Sequence, residues 1–245
     1  MRRLGLNVLG LVLLVGVMEA IGRLGLAGNT WPPISKVLTY ARTEPGSTIL
    51  SRAVDATTRE AALGLVTGTL LGLALASLGL TAPFLRAGLS QTAVLLSALP
   101  LIALGPVLIT TVGADRTPTV IAAIGAGFTV FVTVSSAFAR VPETTRDVFT
   151  VLGARRRSVL GRLVAPASVP ALLDALALAA PAALLGATIG EWFGAPRGIG
   201  VLLVTSMQNY DIEQLWAAAI AISLISLLVY LALTSLQRAA AAWFA

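Results

Sequence analysis

Residues 140–170 read RVPETTRDVFTVLGARRRSVLGRLVAPASVP, a polar, arginine-loaded interval between long apolar runs. Such an interval belongs outside the hydrocarbon of a bilayer. Its pattern is nonetheless that of ordered chain. Pro142 suits the opening of a helix, and Glu143 and Asp147 fall in or near its early turns, where acidic side chains complement the helix dipole. Val148, Val151 and Leu152 continue that helix, and Gly153 marks a turn or cap. A second short helix is predicted from Ala154 to about Val164, stopped by Pro166. Val159, Leu160, Leu163 and Val164 share one stripe of it, while Arg155, Arg156, Arg157 and Arg162 supply charge. Two short helices folded about a glycine make a compact knob at a membrane surface.

Composition agrees with that setting. Of 245 residues, 57% are hydrophobic and 11% charged, and the mean hydropathy is +0.91. Repeated spans in lipid accommodate that much apolar surface; a soluble domain of this size does not. The net charge of +6 is no nucleic-acid footprint, because the arginines cluster in loops between spans. The chain has no cysteine and no histidine, which excludes disulfides, the usual zinc clusters and Cys–His or Ser–His catalysis. No Gly-x-x-x-x-Gly-Lys-Ser/Thr loop is present to grip ATP. The chain is expected to be no enzyme and to hold no metal or cofactor of its own.

The hydropathy pattern gives an all-α polytopic membrane protein with about six transmembrane helices. A first helix occupies residues 1–22, its apolar run Leu4–Ile21 being longer than the core of a signal peptide. An extracytoplasmic segment, 23–60, follows. There Trp31-Pro32-Pro33 reads as an interfacial anchor, Ser35 as the cap of one short helix, and Ser47 or Thr48 as the cap of another that leads into the second span. The core runs from 61 to 236 and includes the 140–170 loop, and 237–245 form a tail. Gly64, Gly68 and Gly72 repeat every four residues on the second span, a smooth stripe for close helix packing and, secondarily, for lining a path. Pro100 and Pro106 interrupt the third span, so it is no straight lipid-facing rod. Gly186 lies in a small-residue patch of the fifth span, whose Asp174 is read as interfacial or structural. Glu191 marks the outer end of that span, and Gly198 and Gly200 form an outer turn.

Six spans bring both ends and the 140–170 loop to one side. Ten of the 17 basic residues fall there, among them the cluster Arg155, Arg156, Arg157 and Arg162, so that side is expected to be the cytoplasm.

The loop resembles the Glu-Ala-Ala loop of permease subunits in ATP-driven importers. Asp147-Val148-Phe149, three residues, Gly153, nine residues, then Leu163-Val164-Ala165-Pro166 keep its spacing, with Asp for Glu, Val-Phe for Ala-Ala, and Ala-Pro for Leu-Pro. The WPPISKVL stretch from Trp31 to Leu38 is similar to the opening of the nitrate/sulfonate/taurine branch, and Thr57-Thr58-Arg59 matches that branch more loosely. Ala98-Leu99-Pro100 with Leu104-Gly105-Pro106 resembles the branch's third-span segment, without its arginine, and Gly198-Ile199-Gly200 resembles its outer Gly-Leu-Gly.

The resemblance implies the transmembrane domain of a type I ABC importer in the cytoplasmic (inner) membrane of a prokaryote. It implies two cytoplasmic ATPase subunits that bind ATP and Mg, a second permease copy, and a periplasmic or lipid-anchored solute-binding protein. The solute would be small: nitrate, sulfonate, taurine or a thiamine precursor. In that reading Asp147, Phe149, Gly153 and Arg155 contact the ATPase, Val151 and Leu152 pack the knob, and Pro166 closes the motif. Arg156 and Arg157 have an alternative use against anionic membrane lipid. Two other classes stand beside this one. A stand-alone secondary carrier or channel would show ion-coupling residues within the membrane or matching broken helices. A membrane scaffold without transport would make the loop incidental.

Overall fold

The computed structural model describes the backbone of residues 2–244, all of whose regular elements are helices. α1 (Arg2–Leu24) leads through a short 3-10 turn at Gly28–Thr30 into α2 (Ile34–Arg42). α3 (Gly46–Thr81), α4 (Pro83–Ala98), α5 (Leu101–Val112) and α6 (Thr117–Arg140) follow. Beyond the loop helices α7 (Glu143–Val151) and α8 (Arg156–Val159) come α9 (Ala165–Glu191), α10 (Ile199–Asn209) and α11 (Ile212–Phe244).

Among the described residues four helices are long and apolar enough to cross a membrane: Gly46–Thr81, Thr117–Arg140, Arg157–Glu191 and Ile212–Ala240. Pro83–Leu96 and Leu101–Val112, bent by 98° at Leu99-Pro100, pass the same test only together, as one broken span or a re-entrant pair, so the described residues give four or five of the six expected spans. The residue before a proline disfavours the α region, and Leu99 takes extended dihedrals accordingly. The third span expected at 89–112 is therefore two helices meeting at a corner. Pro106, by contrast, sits inside α5 without ending it.

α3, α6 and α9 form the centre of the molecule through small side chains. Ala61, Ala76, Ala122, Ala126, Ala175, Ala179 and Ala183 are all at most 4% exposed and belong to one cluster with Val130, Val134 and Leu184. Apolar side chains gain nothing by leaving lipid for another helix, so close backbone approach with its dispersion contacts is what holds such helices together. Gly64, Gly68 and Gly72 face α6: a Cβ on them would strike Ala122, the Ala123 carbonyl and the Gly127 carbonyl in turn. Gly186 of α9 meets the opposite side of the same α6 turn, its Cβ position 2.8 Å from Ala122 Cα. Gly105 gives way in the same manner to the ring of Phe193.

Residues 23–60 differ from their sequence reading at the expected caps. Ser35 caps nothing: α2 starts after Pro33, and the Ser35 amide and hydroxyl donate to Glu19 of α1 at 3.0 and 2.7 Å. Ser47 and Thr48 do not cap a separate surface helix. α3 begins at Gly46 and runs unbroken for 36 residues, while both hydroxyls donate back to Glu44 Oε1. The Thr48 and Ser47 hydroxyls hold the Glu44 carboxyl below its usual range. Trp31 is half-buried against Trp216 of α11, ring centroids 4.6 Å apart and edge to face. Its indole N–H donates to the Met18 carbonyl, and that of Trp216 to the Thr30 carbonyl. Tyr40 adds a hydrogen bond to Gln214 at 2.5 Å, and Gln214 another to Ser206 of α10. The N-terminal helices are thus clasped to the N-terminal end of α11.

Candidate functional site

Two places carry the residues singled out in the sequence, at opposite ends of the bundle. The first is the loop after α6. Val141 is buried and Pro142 directly precedes α7, which Gly153 ends in the left-handed region at φ +75°. There the Ala154 amide reaches back to the Phe149 carbonyl at 2.9 Å and the Leu152 amide to the Val148 carbonyl at 3.0 Å. This is the glycine-dependent stop that satisfies the last carbonyls of a helix. Arg155 begins the next turn, its carbonyl accepting from the Ser158 and Val159 amides.

Val151 and Leu152 do not pack the knob. They are 87% and 79% exposed, and Val148 beside them is 56% exposed. Phe149 is half-buried, and Asp147, Arg155 and Pro166 are exposed. Among the described residues Asp147 forms no ion pair. The side chain of Arg156 lies outside the described residues, so its expected use against lipid has no geometry here.

Nor does Pro166 stop the second helix. α8 passes through a wider π segment, Leu160–Val164, directly into α9, giving one continuous helix from Arg157 to Glu191. Pro166 falls in the first turn of α9 after the π segment, where the ladder has already shifted register. Asp174 lies near the middle of that 35-residue helix, with its side chain exposed.

The second place is the outer turn. Glu191, 1% exposed at the end of α9, accepts from the Gly200 amide at 2.5 Å, at the amino end of α10. Gly198, at φ +139°, passes so close to the Glu191 carboxyl that a Cβ would overlap it. Thr57 of α3, fully buried, accepts from the Ile199 amide at 2.8 Å. Glu60, one turn further along α3, lies against Glu191, and Glu60 Oε2 and Glu191 Oε1 are buried without another partner. The three residues Glu191, Gly198 and Gly200 come together as one turn fastened to α3. Thr57 and Glu60 are the members that sequence reasoning missed. Thr57 lies 142 residues from its partner Ile199, and no local pattern encodes that pairing.

Neither place brings together a nucleophile, a base and an oxyanion donor, and no group of His, Cys, Asp and Glu suited to a metal occurs among the described residues. What the arrangement offers is a bundle, an outer turn and an exposed apolar loop. The family described as "Binding-protein-dependent transport system inner membrane component" matches residues 65–244. The chain belongs to this family. It is a transport permease, and the outer turn, the broken span and the loop all lie within the matched region.

Two relatives frame the permease. It is 32% identical over 97 residues to the formylaminopyrimidine transport permease protein ThiX of Halalkalibacterium halodurans, which covers 40% of this chain and 39% of that protein. It is 24% identical over 233 residues to the putative aliphatic sulfonates transport permease protein SsuC of Bacillus subtilis, covering 94% and 84%. Among solved structures, a chain of the inward-facing MetNI methionine ABC transporter superposes with a TM-score of 0.69 at 18% identity, over 80% of this chain and 98% of that one. That likeness shows the fold, the transmembrane domain of a type I ABC importer.

Proposed function

We propose that this permease, in a pair of copies, forms the membrane path of an ATP-driven importer for a small solute of the sulfonate, nitrate, taurine or thiamine-precursor kind. A separate binding protein delivers the solute at the outer side, and ATP with Mg is bound and hydrolysed by two partner subunits at the loop side. That side is the cytoplasm, where both ends of the chain also lie. The observation that carries the reading is the exposure of Val151 and Leu152 at the tip of a capped helix outside the bilayer. Large aliphatic side chains left in water at the end of an ordered element fit a partner's groove. The loop's continuity with α9 supports a coupling role, because displacement of the tip is passed to a core helix. The relatives' names support the sulfonate and thiamine-precursor members of that range.

The test is co-purification in mild detergent with the ATPase encoded nearest to the permease. Val151→Asp with Leu152→Asp is expected to abolish the complex while leaving the permease monodisperse, since both positions are exposed. Wild-type permease that purifies alone, or a double variant that retains the ATPase, would overturn the assignment of this loop.

A further inference from the structure

Two cavities lie end to end where α3, α4 and α6 meet. At the end of the bundle that carries the 140–155 loop is a cup of about 330 Å³, lined on its polar side by Arg86, Ser90, Ser135 and Ser136. Among the described residues no acidic side chain lines it. Among the described residues the Arg86 guanidinium makes no hydrogen bond or ion pair. Beside it runs a furrow of about 510 Å³ whose walls include Leu71, Leu75, Leu96, Ile124 and Phe128. Leu89 and Phe131 line both, so cup and furrow adjoin.

This is an amphiphile's shape. An unpaired cation among hydroxyls, where the helices leave the hydrocarbon, suits a phosphodiester, and a guanidinium binds its oxygens in fork geometry. The apolar trough running from it along the spans suits a hydrocarbon chain. We infer that this groove is a binding site for one anionic phospholipid, its phosphate on Arg86 and the three serines and one acyl chain in the α3–α4–α6 furrow. The inference rests on the chain's being embedded in a bilayer and is independent of the solute and of the ATPase contact.

The experiment is native mass spectrometry of the full-length permease, delipidated in detergent and titrated with dioleoyl phosphatidylglycerol. Dioleoyl phosphatidylcholine, inorganic phosphate and octanesulfonate serve as separate arms. Two variants change exposed residues, so the fold is kept: Arg86→Gln removes the charge, and Thr92→Trp fills the furrow from its α4 wall. Expected is one phosphatidylglycerol per chain, with binding weakened about tenfold or more in each variant, as for loss of a charge-assisted hydrogen bond or of the acyl slot. Phosphatidylcholine is expected to bind more weakly than phosphatidylglycerol. Equal phosphatidylglycerol occupancy in wild type and both variants would overturn the site. Displacement of the lipid by phosphate alone would reduce it to a simple anion cup, and preference for octanesulfonate would make it a solute site; either result also overturns the lipid assignment.

Discussion

At Gly68 the Ala123 carbonyl of α6 occupies the space where a side chain would begin. Nothing flexible stands there to yield, only backbone. Gly68→Leu must therefore push α3 off α6, and overpacking of this kind costs about 1–3 kcal/mol. Unfolding followed by SDS titration is expected to shift to lower detergent fraction by that amount. Gly88 on α4 supplies the control, because a Cβ there meets nothing within 4 Å. Gly88→Ala is expected to be neutral or to stabilise by up to about 1 kcal/mol through helix propensity. Both glycines are single letters in apolar helical runs, yet their substitutions differ in sign. The repeat at 64, 68 and 72 made the stripe visible in the sequence; which neighbour it faces was not.

Among the elements, α10 depends most on a distant side chain. Its amino end is fixed by Glu191 from α9 and Thr57 from α3, while Glu60 presses a second carboxyl against the first. Glu191→Ala removes the acceptor of the Gly200 amide and is expected to cost about 1.5–3 kcal/mol, the range for hydrogen bonds to charged groups. Glu60→Gln replaces one of two neighbouring buried carboxyls by a neutral amide that can donate, and is expected to hold or raise stability. SDS-titration midpoints of the two variants check the pair; a fall in Glu60→Gln as large as in Glu191→Ala would show that the two carboxyls are not neighbours in the membrane. The helical core was legible because its signals are local: apolar runs of span length, glycine repeats and a proline pair. The loop's capping glycine was legible for the same reason, since Gly153 ends α7 through its own backbone. What escaped was set by competing acceptors, one distant and one local, and by a shift of helix register. Ser35, Ser47 and Thr48 look like caps, but Glu19 and Glu44 claim their hydroxyls. Pro166 looks like a stop, but five residues in a wider turn ahead of it let the helix continue.

For the molecule as a whole, the centre is α3, α6 and α9, with α1 at the periphery, docked on α2 through Glu19 and Ser35. Val12, Leu13, Leu14 and Val17 on α1 are all more than half exposed, consistent with lipid on most sides. Removal of residues 2–24 is expected to lower the SDS-titration midpoint less than Gly68→Leu does, because the deletion leaves the small-residue crossings intact. A larger loss would mean that the clasp at Trp31 and Trp216 governs the core. The π segment at Leu160–Val164 has a mechanical consequence of its own. α3 ends at a loop and α6 ends at Val141, but α9 has no joint at its lower end; loop and span are one rod, about 50 Å long at the usual rise per residue. One loosened coil in such a rod leaves it stiff in compression and compliant in torsion, so a push at its tip arrives at the far end as displacement, while a twist is spent where the coil is wide.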